Sequence, residues 1–402
     1  MNPVSVNALP ASVRHTVLKP PVYTAHLDLL RGSAALIVMF GHLRFIFEDL
    51  GIRPQGKIFL AAQDKLTVTA PPFNYMNPAH QSVILFFVLS GALVGGSILR
   101  DQKRKKFSWV SYCSKRLARL LTVLVPSLIV GGLIDVASRH MIASGPAAQF
   151  GRLSDIDFNL GVKAFLANLF FLQSVDRVGI ATYGSNAPLW SLSYEFWFYV
   201  LFPLLIAAIF AKRFRSRILF ILLFLLTAAF LWKGILFGLL LWSFGALVTL
   251  LPLAIPERAR RAAVGAAFTL YGGIAVYLWK RPLSNLVLDD YVLAFAMAVL
   301  VYVILHRREV HSKTVYTYVT EQMAQMSYTL YMFHVPLVIL TALFLTLYYP
   351  SVMKHHSLAY WGIACLTVFI CYLFYLMFER NTDRVRSVAL KLLMRGPNTR
   401  TG

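Results

Sequence analysis

The chain has 402 residues, of which 58% are hydrophobic, 14% aromatic and only 14% charged. That is too much apolar surface for water-soluble domains of this total size. Several apolar runs approach the roughly 20 residues needed to cross a hydrocarbon core about 30 Å thick. The net charge of +22 does not point to nucleic acid, because the basic residues fall in short clusters between apolar runs, the pattern of loops that flank a membrane. Cys113, Cys365 and Cys371 have neither paired nor metal-ligand spacing, so no disulfide framework and no metal site is indicated.

In chain order, residues 1–26 read as a cytoplasmic tail with no apolar stretch of the kind a cleaved signal carries. Hydrophobic spans follow at about 27–47, 80–99, 117–138, 188–211, 218–232, 234–252, 262–280, 288–306, 322–348 and 357–378. The fifth and sixth are short, and only Trp232, Lys233 and Gly234 separate them. The expectation is an all-α polytopic membrane protein of about ten transmembrane helices, with a membrane domain over 27–380 and a basic tail over 381–402.

Ten crossings put both termini on one side. They also put the clusters Lys103–Lys106, Lys115–Arg119, Lys212–Arg217, Arg258–Arg261, Arg307–Arg308 and Arg380–Arg386 on that same side. By the positive-inside rule that side is the cytoplasm; merging spans five and six would scatter the clusters over both faces. Two longer connections, about 48–79 and 139–187, then lie on the far side. The second contains the largely apolar stretch Val162–Leu172, read as a re-entrant or interfacial helix.

Ionisable residues inside a span are costly, so each is a functional candidate. The first span carries Asp28, Arg31 and His42 in LDLLRGSAALIVMFGH, with Asp49 just beyond. At about 100° per residue, Arg31 and His42 are offset by only about 20° after three turns and separated along the axis by about 16 Å. Asp28 and Asp49 share that stripe, which is expected to face the bundle interior. In the fourth span Glu195 stands among Trp190, Tyr194, Trp197 and Tyr199. The aromatics read as an interfacial belt, and the carboxylate as a group that orients His42. His334 precedes Pro336 in the ninth span; it either lines a ligand path or bonds carbonyls freed by the proline. Glu379–Arg380 reads as a local pair at a membrane boundary.

These residues carry a resemblance. Arg31-x10-His42 in the first span is similar to the signature of the acyltransferase-3 family of membrane acyltransferases. Further blocks follow in order: FFVLSG (Phe86–Gly91), KRLAR (Lys115–Arg119), PLWSLSYEFWFY (Pro188–Tyr199), SYTLYMFHVPL (Ser327–Leu337) and FER (Phe378–Arg380). The resemblance implies transfer of an acyl group, commonly acetyl, from cytosolic acetyl-CoA or another acyl-CoA to a hydroxyl of a glycan or lipid-linked saccharide across a bacterial inner membrane. It implies His42 as the catalytic residue, either general base or transient acyl carrier, and Arg31, Arg116 and Arg119 as donor-binding residues. Glu195 is assigned beside His42, and His334 beside the donor. The sequence departs from the family pattern at Ala92, Phe196 and Asn381.

The residues agree with this reading on physical grounds. Lys and Arg at the cytoplasmic edge suit the phosphates of CoA, and a hydroxyl acceptor needs a base near neutrality, for which histidine is suited. A transporter or flippase also uses intramembrane Arg and His, but such folds carry paired halves and no internal repeat is visible. Reporter fusions after Lys106 and after Arg217 are expected to report cytoplasm, and fusions near Pro72 and Gly179 the far side. A cytoplasmic Gly179 breaks the ten-span arrangement.

Overall fold

A computed structural model describes residues 25–52, 77–231, 233–252, 255–280, 286–305 and 314–394. The N-terminal tail up to residue 24, Pro72 and most of the first far-side connection, Trp232, and the basic residues Arg307, Arg308, Lys313, Arg395 and Arg400 lie outside the described residues. Among those described, the structure is helical and without a strand; one isolated bridge joins Asn159 and Gly184.

The helices are α1 (Ala25–Asp49), α2 (Pro78–Lys103), α3 (Trp109–Ser144), α4 (Val162–Leu169) and α5 (Leu189–Phe210). They continue with α6 (Phe214–Leu231), α7 (Lys233–Val248), α8 (Arg260–Lys280) and α9 (Leu286–Leu305). The chain ends in α10 (Val315–Tyr348), the short α11 (Pro350–Lys354), α12 (His356–Met377) and α13 (Thr382–Met394). Among the described residues nine helices are long and apolar enough to cross a membrane, and α7 is a shorter apolar helix. The expected short pair is therefore α6 and α7. The far-side helix expected near Val162–Leu172 is α4, which ends where Phe171 takes a positive φ.

Local sequence starts these elements cleanly. Asn77 caps α2, its side chain accepting from the His80 amide, and Pro78 fills the first turn, where no N–H partner is needed. Thr314 and Thr317 form a reciprocal cap at the start of α10. Both α3, with 36 residues, and α10, with 34, exceed a bilayer crossing. Lys115, Arg116 and Arg119 thus belong to α3 itself, not to a loop before it.

The core sits around α10, which packs on α1 most extensively and also on α3 and α12. A second group joins α2, α5, α7 and α9, tied by His80 Nε2 to Asp290 Oδ1 at 2.8 Å and by Trp242 Nε1 to Ser90 Oγ at 3.1 Å. Helix α6 is apolar and exposed almost throughout, with only Leu231 buried; such a surface is stable against lipid but not against water.

Helices α2 and α7 approach until their backbones touch. The turn Gly91–Gly95 of α2 is widened to π geometry, and a Cβ on Gly91 meets the Trp242 carbonyl, while one on Gly245 meets the Val88 carbonyl. Backbone cannot yield as a side chain does, so Gly245→Val is expected to destabilise the folded protein by about 1–3 kcal/mol or more. Gly272→Ala, with nothing within 4 Å of the added Cβ, is expected to be neutral or stabilising by up to about 1 kcal/mol. Thermal denaturation of detergent-solubilised protein, followed by size-exclusion recovery, compares the two; equal Tm values overturn the close-contact account.

Candidate active site

Helix α1 can bring its polar stripe against α10 because Gly32 leaves room. A Cβ there comes 2.5 Å from Cβ of Met323 and 3.0 Å from its backbone. Across this contact, one end of the stripe meets a histidine. His334, fully buried on α10, places Nε2 at 3.1 Å from Nδ1 of the half-buried His42.

The hydrogen bonds fix the tautomers of the neutral rings. Nδ1 of His334 lies 2.9 Å from the Leu330 carbonyl; a carbonyl only accepts, so this nitrogen carries the hydrogen. Nε2 of His334 is then an acceptor, and Nδ1–H of His42 donates to it while also lying 3.0 Å from the Val38 carbonyl. The lone pair of His42 is left on Nε2, the form a general base requires.

His334 is not spent on the proline. Pro336 removes the N–H that would bond the Met332 carbonyl, and Nδ2 of Asn186, from the connection before α5, donates to that carbonyl at 2.7 Å. The same solution recurs in α5, where Pro203 frees the Tyr199 carbonyl and the Tyr112 hydroxyl of α3 donates to it at 2.9 Å. In a membrane, a helix keeps an interior proline when a neighbour supplies the missing donor.

The side chain hydrogen-bonded to His42 is that of His334, and the hydrogen bonds of Glu195 go elsewhere. Helix α5 runs antiparallel to α10. Ser191 Oγ meets the Tyr331 hydroxyl at 2.7 Å, and one further turn carries Glu195 away from His334 toward the Arg31 end. There Oε1 of Glu195 accepts from Ser90 at 3.0 Å and from the Tyr199 hydroxyl. The aromatics around Glu195 have packing partners within the fold. Tyr194 stacks on Phe87 of α2, while Phe196 stacks on Phe171 and Trp197 donates to the Phe171 carbonyl at 2.9 Å, so they pack α5 against α2 and against the turn that follows α4.

Around that end the charged groups collect. Arg31 lies within electrostatic reach of Arg119, Glu195, Glu379 and Asp28, and Arg119 within reach of Glu195, Glu379, Tyr199 and Tyr328. Glu379 is no local partner of Arg380. Its Oε2 accepts from the Thr329 amide at 3.0 Å and the Thr329 hydroxyl at 2.7 Å, which locks the end of α12 to α10. Arg116 lies over the rings of Tyr199 (5.6 Å) and Tyr112 (5.9 Å), and its buried Nε has no partner among the described residues. Neither Arg31 nor Arg119 forms a hydrogen bond or ion pair among the described residues. Both carboxylates are held by neutral donors, which leaves the guanidinium groups open to an anion.

Asp49 leaves the stripe to pair with Arg152 at 2.9 Å. No group of three or more His, Cys, Asp or Glu able to hold a metal is found among the described residues. The sequence reading missed Asn186, Ser90, Thr329 and the buried Asp135. The signal available for Asn186 was Pro336, whose missing N–H demands an outside donor. A family model described as an acyltransferase domain matches residues 24–376. Comparisons with curated proteins and with solved structures give no match.

Proposed function

The chain belongs to the acyltransferase-3 family, and on that footing we propose that it moves an acyl group, acetyl or a close homologue, from cytosolic acyl-CoA to a sugar hydroxyl on the far side of a bacterial inner membrane. The observation that carries this reading is the hydrogen-bonded pair of His334 and His42, on the helix that also carries Arg31 about 16 Å away. The acceptor is a glycan or lipid-linked saccharide, and both termini are cytoplasmic.

Arg31, Arg116 and Arg119 bind the phosphates of the donor by charge-assisted hydrogen bonds. The thin arm of CoA then runs along α1, and its thioester reaches His42. Nε2 of His42 takes the proton of the acceptor hydroxyl as the oxygen attacks the thioester carbon. When the tetrahedral intermediate collapses, the C–S bond breaks and the departing sulfur takes up the proton that His42 accepted, which releases the CoA thiol and the acylated hydroxyl and returns His42 to its neutral form. His334 accepts the Nδ1–H bond of His42 throughout, keeping the ring in the productive tautomer. Glu195, held by Ser90 and Tyr199, balances the arginines.

A positioned base contributes about 10²–10⁴-fold. His42→Ala is therefore expected to abolish glycan acylation while the protein still inserts and still binds acyl-CoA. His42→Gln cannot take up the proton at neutral pH and is expected to be nearly as inactive. Mass spectrometry of surface glycans, together with thiol release from acetyl-CoA by purified protein, measures both at matched protein levels. Gln activity near wild type would falsify the general-base role.

Replacing Arg116 and Arg119 together with Gln removes charged donors worth about 1.5–3 kcal/mol each. The apparent KM for acyl-CoA is expected to rise by at least about tenfold while membrane insertion is unchanged, because other basic residues remain on that face. An unaltered KM returns both arginines to an orienting role in the membrane.

A further inference from the structure

Asp135 lies nine residues before the C-terminal end of α3, near the end of the span expected over about 117–138, and is 1% exposed. A carboxylate at such a position is costly and persists only with partners. Both of its partners come from Ser185, in the connection that leads into α5: the amide N–H donates to Oδ2 at 2.8 Å and the hydroxyl to Oδ1 at 2.6 Å. The preceding residue, Gly184, has φ of +64°, and Oδ2 of Asp135 occupies the place a Cβ there would take. This turn is therefore shaped around the carboxylate. The next residue is Asn186, whose side chain donates to the Met332 carbonyl freed by Pro336. Two residues beyond Met332 along α10 is His334, which receives the hydrogen bond of His42.

We infer that Asp135 is a positioning residue for the histidine pair: by holding the Gly184–Asn186 turn it aims Asn186 at the Met332 carbonyl freed by Pro336, and this contact sets the part of α10 that carries His334 against His42. This role rests on the general-base reading of His42. The line runs through the two bonds from Ser185 to Asp135, one bond from Asn186 to Met332 and two residues of α10, so a displacement at Asp135 arrives at His334 as a change in ring position. Misplacement of a catalytic group by about 1 Å can cost about a hundredfold. Arg31, Arg116 and Arg119 are not on this line, so donor binding is spared.

The test uses the full-length protein in lipid nanodiscs, with acetyl-CoA as probe and release of its thiol as readout. Asp135→Asn and Asn186→Ala are each expected to lower kcat by about ten- to a hundredfold with KM for acetyl-CoA within about twofold. Ser185→Ala, which removes one of the two bonds and leaves the backbone amide in place, covers the case in which Asp135→Asn fails to fold. It is expected to lower kcat by several-fold. In a His334→Ala background the same substitutions are expected to add less than about twofold, because the line ends at His334 and residues acting as one unit are not additive. Wild-type kcat in Ser185→Ala and Asn186→Ala overturns the inference, as do losses that multiply with His334→Ala or appear in KM. Turnover retained by His42→Ala overturns the general-base reading instead, and with it any positioning role.

Discussion

An imidazole fully buried among packed helices has no water to complete its hydrogen bonds, so both nitrogens of His334 must find partners in the protein. They find the Leu330 carbonyl and His42, and the close approach of α1 and α10 serves that need. Helices α1 and α10 have to lie close, which the missing side chain of Gly32 permits. The α10 backbone carries an interior proline two residues beyond His334, and Asn186 supplies the donor that Pro336 cannot. The connection before α5 must be held rigidly enough to present Asn186, and Asp135 is positioned to hold it.

The same shortage of water organises the opposite end of the site. Glu195 and Glu379 cannot be left bare, and each is satisfied by neutral donors: Ser90 and Tyr199 for one, Thr329 for the other. A direct salt bridge to Arg31 or Arg119 would have met the same need while occupying the guanidinium groups. Neutral donors hold the carboxylates near the arginines without consuming them. The charge balance stabilises the cluster at medium range, and its donor capacity stays free for a phosphate.

The short blocks that suggested the family acquire separate structural reasons. In FFVLSG, Ser90 bridges Glu195 and Trp242, and Gly91 admits α7. In PLWSLSYEFWFY, Ser191 reaches Tyr331, and Ser193 and Trp197 both donate to the carbonyl of Phe171. In SYTLYMFHVPL, Thr329 secures Glu379, Tyr331 meets α5 and His334 meets His42. In these three blocks, polar atoms tie one segment of the chain to another.

The sequence alone determined the helical class, the number and rough extent of the apolar helices, and the stripe joining Arg31 to His42. These depend on hydrophobicity and helical period, which are properties of one segment at a time. The partner of each buried polar group was decided only by tertiary structure. Glu195 was assigned to His42 by estimated depth, and the fold gives its carboxylate Ser90 and Tyr199 as hydrogen-bond partners. The aromatics near it read as a belt because Trp and Tyr favour interfaces, and their particular partners, Phe87 and Phe171, came from the fold. Asn186 and Asp135 lie far from His42 in sequence and meet its helix only through α10. Helical period says which face a residue occupies; which helix lies opposite that face depends on how all the segments pack together.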